Sequence, residues 1–196
     1  MIKTKIGFSF FSLLIVISMI ATANEFTYIS LLSALIHETG HIIAAKILKI
    51  KLKEIKFDFL GARLVISKKI ISYSKEVMLC AFGPLFNFLS AFIAYIVSCH
   101  YGIQDPKINF FIFASISLGI LNLLPIKTFD GGRIIESALC FIIQPSASKK
   151  TVEVLSFITV FLLWCISVYF LLIYSSSLSL FVFSVSLFFT LFITEA

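Results

Sequence analysis

Two histidines and a glutamate stand inside an apolar run, at His37, Glu38 and His41 in the segment LIHETGHIIAA. The pattern is HExxH, which on an α-helix places the two histidines one turn apart on the same face. Two neutral imidazoles at that spacing can bind one Zn²⁺, and the adjacent carboxylate can take a proton from water at the open coordination position. The pattern therefore predicts metal-assisted hydrolysis, with His37 and His41 as zinc ligands and Glu38 as the acid/base.

The surrounding sequence predicts that these polar groups lie in a membrane. The 196-residue chain is 60% hydrophobic and 13% charged, a composition typical of integral membrane proteins. Six nearly uncharged runs approach the length that crosses about 30 Å of hydrocarbon; they are 6–23, 26–45, 77–99, 108–124, 155–174 and 178–193. The first run follows Lys3 and Lys5, and we interpret it as a membrane anchor.

These runs predict an all-α polytopic membrane protein with about six transmembrane helices. The whole chain, 1–196, is expected to form a single domain, because no linker or internal repeat interrupts it. A catalytic core of about 26–140 and two further transmembrane helices in 150–196 make up that domain.

Basic residues are concentrated on one side of the predicted spans. If the connecting segments alternate between the two sides, 15 of the 16 Lys and Arg share one side and only Lys107 lies opposite. Cytoplasmic loops are enriched in basic residues, so both termini of this multi-pass cell-membrane protein are predicted to be cytosolic. Topology and anionic lipid headgroups then explain the net charge of +6, and no nucleic-acid partner is predicted.

A catalytic zinc usually has three protein ligands and an open position, so a third donor is needed besides the two histidines. The candidates are His100, Asp105, Asp130, Glu136 and Glu76. The first two fall in the loop predicted to face away from the cytosol. Asp130 follows the fourth predicted span, where Pro125 ends the helix and Gly131 and Gly132 allow a sharp turn that would fold the carboxylate back into the bundle. On residue chemistry alone Asp130 is favoured over Glu136, and both remain candidates.

Three motifs in order resemble the site-2 proteases, zinc metalloproteases that cut substrates within the bilayer. The motifs are HETGH in the second predicted span, AFGPLFNF at 81–88 and LNLLPIKTFDGG at 121–132. The resemblance implies one zinc ion, with His37, His41 and Asp130 as metal ligands and Glu38 as the catalytic residue.

Within that family the chain looks most like the sporulation-factor processing protease, without the CBS domain that such relatives commonly carry. One departure concerns the stretch before Asp130, where the family often has prolines and this chain has Lys127 and Thr128. The spacing from Asn122 to Asp130 is nevertheless kept.

Two asparagines, Asn87 in GPLFN and Asn122 in LNLLP, lie in apolar helices. In the family such asparagines are thought to handle the substrate backbone, and an amide aimed at a developing oxyanion would be effective in a water-poor site. The alternative is that they form hydrogen bonds between helices. Both interpretations stay open.

Between the second and third predicted spans, LKEIKFDFLGARLVISKK at 52–69 alternates apolar and polar residues around Gly61. Period two with a central glycine predicts a short, membrane-associated β-hairpin. It would serve either as an interfacial cap with snorkelling lysines or as an edge to which an extended substrate adds as a strand.

Together these features predict an intramembrane zinc metalloendopeptidase that cleaves a membrane-tethered protein near the cytosolic side. Its expected partners are the lipid bilayer, a membrane-protein substrate and regulatory membrane proteins. The alternative is a non-proteolytic membrane protein that binds or transports metal. An inactive relative would be expected to lack Glu38 or a ligand, and a transporter would need an outward polar pathway, for which His100, Asp105 and Lys107 are a poor set.

Overall fold

A computed structural model of the chain describes residues 5–8, 24–50, 52–58, 61–66, 72–174 and 178–193. Their helices are α1 (Glu25–Ile47), α2 (Tyr73–Tyr101), α3 (Pro106–Asn122), α4 (Asp130–Leu139), α5 (Pro145–Tyr174) and α6 (Leu178–Ile193). Their strands are β1 (Lys5–Phe8), β2 (Leu52–Asp58) and β3 (Gly61–Ile66). The chain divides into two compact units, Met1–Asn122 and Leu123–Ala196.

Long apolar helices dominate the described residues, as the composition predicted. Five of the six predicted spans correspond to α1, α2, α3, α5 and α6. By length and composition, two helices in the described part of the chain could cross a membrane: Tyr73–Tyr101 and Pro145–Ile173. The predicted span 6–23 is wrong at its start, because Lys5–Phe8 is a strand whose backbone pairs with β2. Residues 9–23 lie outside the described residues.

In the described part of the first unit, α1, α2 and α3 pack on one another and the three strands form one sheet. Strand β2 lies between the other two, parallel to β1 and antiparallel to β3. The side chain of Asn24 accepts a hydrogen bond from the Thr27 N–H at 3.1 Å, which caps the start of α1. The Ser33 hydroxyl donates to Ser115 at 3.1 Å and joins α1 to α3.

Small residues allow α1 and α2 to approach closely. A Cβ atom at Gly40 would lie 2.5 Å from the carbonyl oxygen of Phe82, so only glycine fits there. One turn further along α1, Ala44 and Ala45 are buried against Leu79. Such small-residue contacts are how helices associate where apolar solvent gives no hydrophobic driving force. The HETGH turn is therefore held directly against α2.

In the second unit, α5 is the element on which the others pack. The Ser148 hydroxyl at its start donates to the carbonyl of Glu136 in α4 at 2.6 Å. Near its other end, Ser167 and Ser184 place their hydroxyls 3.0 Å apart and join α5 to α6. Both α4 and α6 are thus attached to α5 by hydrogen bonds as well as by apolar contacts.

Candidate metal centre

Helix α1 brings the two imidazoles of the HETGH turn together in a buried position. The side chains of His37 and His41 are 5% and 8% exposed, and their Nε2 atoms are 3.2 Å apart. Two nitrogens that each lie about 2.0–2.1 Å from one tetrahedral zinc would be separated by about 3.3 Å. The observed separation therefore matches two ligands of one ion.

The other ring nitrogen of each histidine has a partner on α2. His41 Nδ1 lies 2.9 Å from the carbonyl oxygen of Leu79, which can only accept, so Nδ1 donates and Nε2 presents its lone pair. His37 Nδ1 lies 3.3 Å from the amide of Asn87. Metal-binding histidines are commonly oriented by such bonds at the distal nitrogen. No sequence signal pointed to the Leu79 carbonyl, because a backbone acceptor leaves no trace in residue type.

The amide of Asn87 is completely buried, and its Oδ1 has no hydrogen-bond partner among the described residues. Amide oxygen and nitrogen positions are assigned from their surroundings, so a half-turn of the amide is an equivalent fit. After that half-turn, Oδ1 would face His37 Nδ1 and accept a hydrogen bond from its N–H. Both histidines then direct Nε2 lone pairs at each other across 3.2 Å, an arrangement that a shared cation stabilises.

Gly83 of α2 lies directly against the imidazole rings of His37 and His41. A Cβ atom there would overlap His41 Nε2 and lie 2.8 Å from His37 Cε1. Glycine at this position therefore lets the backbone of α2 approach the two imidazoles closely. The GP pair in GPLFN was the available signal for this steric role.

Replacing Gly83 by alanine is expected to abolish metal binding, because the new methyl group would overlap His41 Nε2 and press on His37 Cε1. Overpacking of this kind also costs about 1–3 kcal/mol of stability. Zinc content of the purified protein, measured by mass spectrometry, is the readout. The matched control is Gly119→Ala in α3, whose Cβ would meet the ring of Phe88 at 2.9 Å, a side chain that can shift. Equal zinc content in both variants would contradict the assignment.

Asp130 belongs to the second unit, where it is the first residue of α4 and is 8% exposed. The predicted sharp turn at Gly131 and Gly132 is wrong, because both residues lie within the helix and neither has a positive φ. Glycine is required for a steric reason instead. Cβ atoms at these positions would overlap the carbonyls of Leu123 and Ile126, so the first turn of α4 lies directly on the preceding backbone.

The candidate ligands differ in burial. His37 and His41 of the first unit and Asp130 of the second unit are buried. The other candidates from the sequence are half-buried or exposed: His100, Asp105, Glu136 and Glu76. The chemistry of two imidazoles and one carboxylate suits zinc.

The remaining predicted site residues differ in their surroundings. Glu38 is half-buried and directly follows His37 on α1. Asn122 is also half-buried, and its Nδ2 donates to the carbonyl of Leu118 in its own helix at 3.0 Å. Only Asn87 of the two asparagines therefore contacts a histidine.

The chain is similar to known metalloproteases in sequence and in fold. The model of peptidase family M50 matches residues 99–166. A zinc metalloprotease of Methanocaldococcus jannaschii is 30% identical over 110 residues, which are 55% of this chain and 32% of that protein. The chain thus spans about a third of that relative. The solved structure of a site-2 protease from the same organism has a TM-score of 0.66 at 22% identity and covers 95% of this chain and 88% of its own.

Proposed function

We propose that this chain is an intramembrane zinc metalloendopeptidase, because the model of peptidase family M50 matches residues 99–166 and the fold is similar to that of a solved site-2 protease. The observation that carries the proposal is the pair of buried imidazoles with Nε2 atoms 3.2 Å apart. Placing two ionisable rings in an apolar helix costs free energy, so such residues usually mark a functional site. Their spacing, their distal hydrogen bonds and the adjacent Glu38 suit hydrolysis.

In the proposed mechanism His37, His41 and Asp130 hold one zinc ion. When bound, the ion would polarise the scissile carbonyl and make a nearby water more acidic. Glu38 takes the proton of that water and delivers it to the leaving amine, as a general acid/base does. Leu79 and Asn87 keep the protons of the two histidines on Nδ1, so that both Nε2 atoms remain available as ligands.

Asn87 has a second use in this scheme. With Oδ1 turned toward His37, its Nδ2 takes the buried position where Oδ1 has no partner among the described residues. A donor in that position can stabilise the negative charge that develops on a substrate oxygen by donating a hydrogen bond to it. Asn122 would first have to give up its bond to Leu118, so we assign the substrate contact to Asn87 before Asn122.

The proposed substrate is a membrane-tethered protein that is cut near the cytosolic side. About six spans, cytosolic termini and a membrane-associated sheet belong to this proposal. A substrate must be extended before its peptide bonds are accessible, and a sheet edge can hold it so. Strand β2 is flanked on both sides, so an added substrate strand would pair with β1 or β3. Regulatory membrane proteins would act by controlling whether the substrate reaches this sheet edge.

Removal of metal gives the simplest test. Purified protein in detergent, incubated with single-span membrane substrates, is expected to cleave them; a zinc chelator is expected to stop cleavage and added Zn²⁺ to restore it. Fragment masses from mass spectrometry report the reaction. Metal-dependent binding without any cleavage of a substrate panel would favour the alternative, a membrane protein that binds or transports metal. Cleavage that persists without metal would exclude the proposed chemistry.

A further inference from the structure

The segment between α3 and α4, residues 123–129, is attached to α5 through Lys127. The backbone N–H of Lys127 donates to the Ser156 hydroxyl at 2.8 Å. Its Nζ lies 2.7 Å from the Glu153 carboxylate, and these two side chains are 23% and 29% exposed. Neighbouring Ile126 is completely buried. One residue of the segment is therefore fixed to α5 by both its backbone and its side chain.

The attachment of Lys127 to α5 also constrains the position of the first turn of α4. The Phe129 N–H donates to the carbonyl of Ile126 at 2.8 Å, which closes a turn directly before Asp130. Gly131 and Gly132 then pack against the backbone of the same segment, where a Cβ at Gly132 would lie 2.8 Å from the Lys127 nitrogen. The position of the Asp130 backbone consequently follows that of Lys127.

We propose that the pair of Lys127 and Glu153 positions Asp130 for metal binding. The inference rests on the proposed function, in which Asp130 is a zinc ligand. Lysine stands where the resembling family often has proline. Proline would restrict the segment by fixing φ and could not donate to Ser156, whereas here an ion pair and a backbone hydrogen bond to one face of α5 provide the restriction.

The ion pair of Lys127 and Glu153 is strong enough to hold the segment 123–129 in place. Both charges are largely withdrawn from water, where their attraction is less screened than at an open surface. Loss of one partner leaves the other charge uncompensated in that setting, which favours a rearrangement of the segment. Because Asp130 follows only three residues later, such a rearrangement would displace the carboxylate from its place as a ligand.

The test is the zinc affinity of the full chain in detergent, measured by competition with a chromophoric chelator. Lys127→Met and Glu153→Gln are each expected to weaken zinc binding roughly tenfold, the lower end of what outer-shell partners contribute. Exchanging the charges, with Lys127→Glu and Glu153→Lys together, is expected to restore affinity to within about threefold of wild type. Lys127→Arg should retain it. Lys150→Met removes an exposed lysine of α5 and serves as the control.

Wild-type affinity in both single variants would overturn the inference. So would weakened binding that the charge exchange does not restore, or binding in Lys127→Arg as weak as in Lys127→Met, because a merely structural loss lowers stability without depending on the pairing of charges. Both outcomes leave the proposed function standing. A wild-type protein that binds no zinc would instead overturn the proposed function, and this inference with it.

Discussion

Replacing Glu38 by glutamine is expected to abolish cleavage while the protein still binds about one zinc ion per chain. Glutamine keeps the size and the hydrogen-bonding reach of the side chain but cannot take a proton from water. General acid/base groups contribute on the order of 10²–10⁴-fold to rates, so residual cleavage should fall by at least that range. Single-turnover cleavage of a membrane substrate and zinc content on the same sample are the two measurements.

The matched control for this variant is Glu136→Gln in α4. Glu136 is also half-buried and was itself a ligand candidate, but it is not among the proposed zinc ligands. Its variant should cleave at the wild-type rate. If Glu38→Gln cleaves as fast as the control, the assignment of Glu38 as the acid/base fails even though the zinc site stands.

Replacing Asp130 by asparagine is expected to remove most of the bound zinc and, with it, activity. The substitution keeps the shape of a residue that begins α4 but removes the charge that makes it a good ligand. Outer-shell partners of metal sites are worth about 10–100-fold in affinity, and loss of a direct ligand should exceed that. The zinc dissociation constant from chelator competition measures the effect.

Asp105→Asn provides the control for this second variant. Asp105 also lies at a helix start, where its carboxylate accepts the Lys107 N–H at 2.8 Å, and it is not among the proposed zinc ligands. Zinc affinity should be unchanged there. Wild-type zinc affinity in Asp130→Asn would remove this residue from the ligand set and reopen the choice of third ligand.

Sequence patterns predicted the parts of this centre that depend on local periodicity. The HExxH spacing indicated that His37 and His41 share a face of a helix, and the rings do lie together. Long apolar runs likewise located five of the helices. Both signals work because the period of a helix relates sequence separation directly to position on a face.

Other features depended on contacts that residue types do not encode. The Leu79 carbonyl that orients His41 is a backbone group, and the closeness of Gly83 to both rings follows from how α1 and α2 pack. At Gly131 and Gly132 the sequence correctly marked an unusual backbone but predicted the wrong cause. Glycine is needed there because the helix lies close to the preceding backbone, and not because the residue adopts a left-handed conformation. Either cause requires glycine, so residue type alone does not distinguish them.

The central claim is that His37, His41 and Asp130 hold one zinc ion, and X-ray absorption at the zinc edge tests it most directly. For the purified wild-type protein we expect about one zinc per chain with only nitrogen and oxygen ligands at about 2.0–2.1 Å, including two imidazoles, and for Asp130→Asn the loss of one oxygen ligand or of the metal. Sulfur ligands from the cysteines, or a wild-type spectrum in Asp130→Asn, would contradict the account.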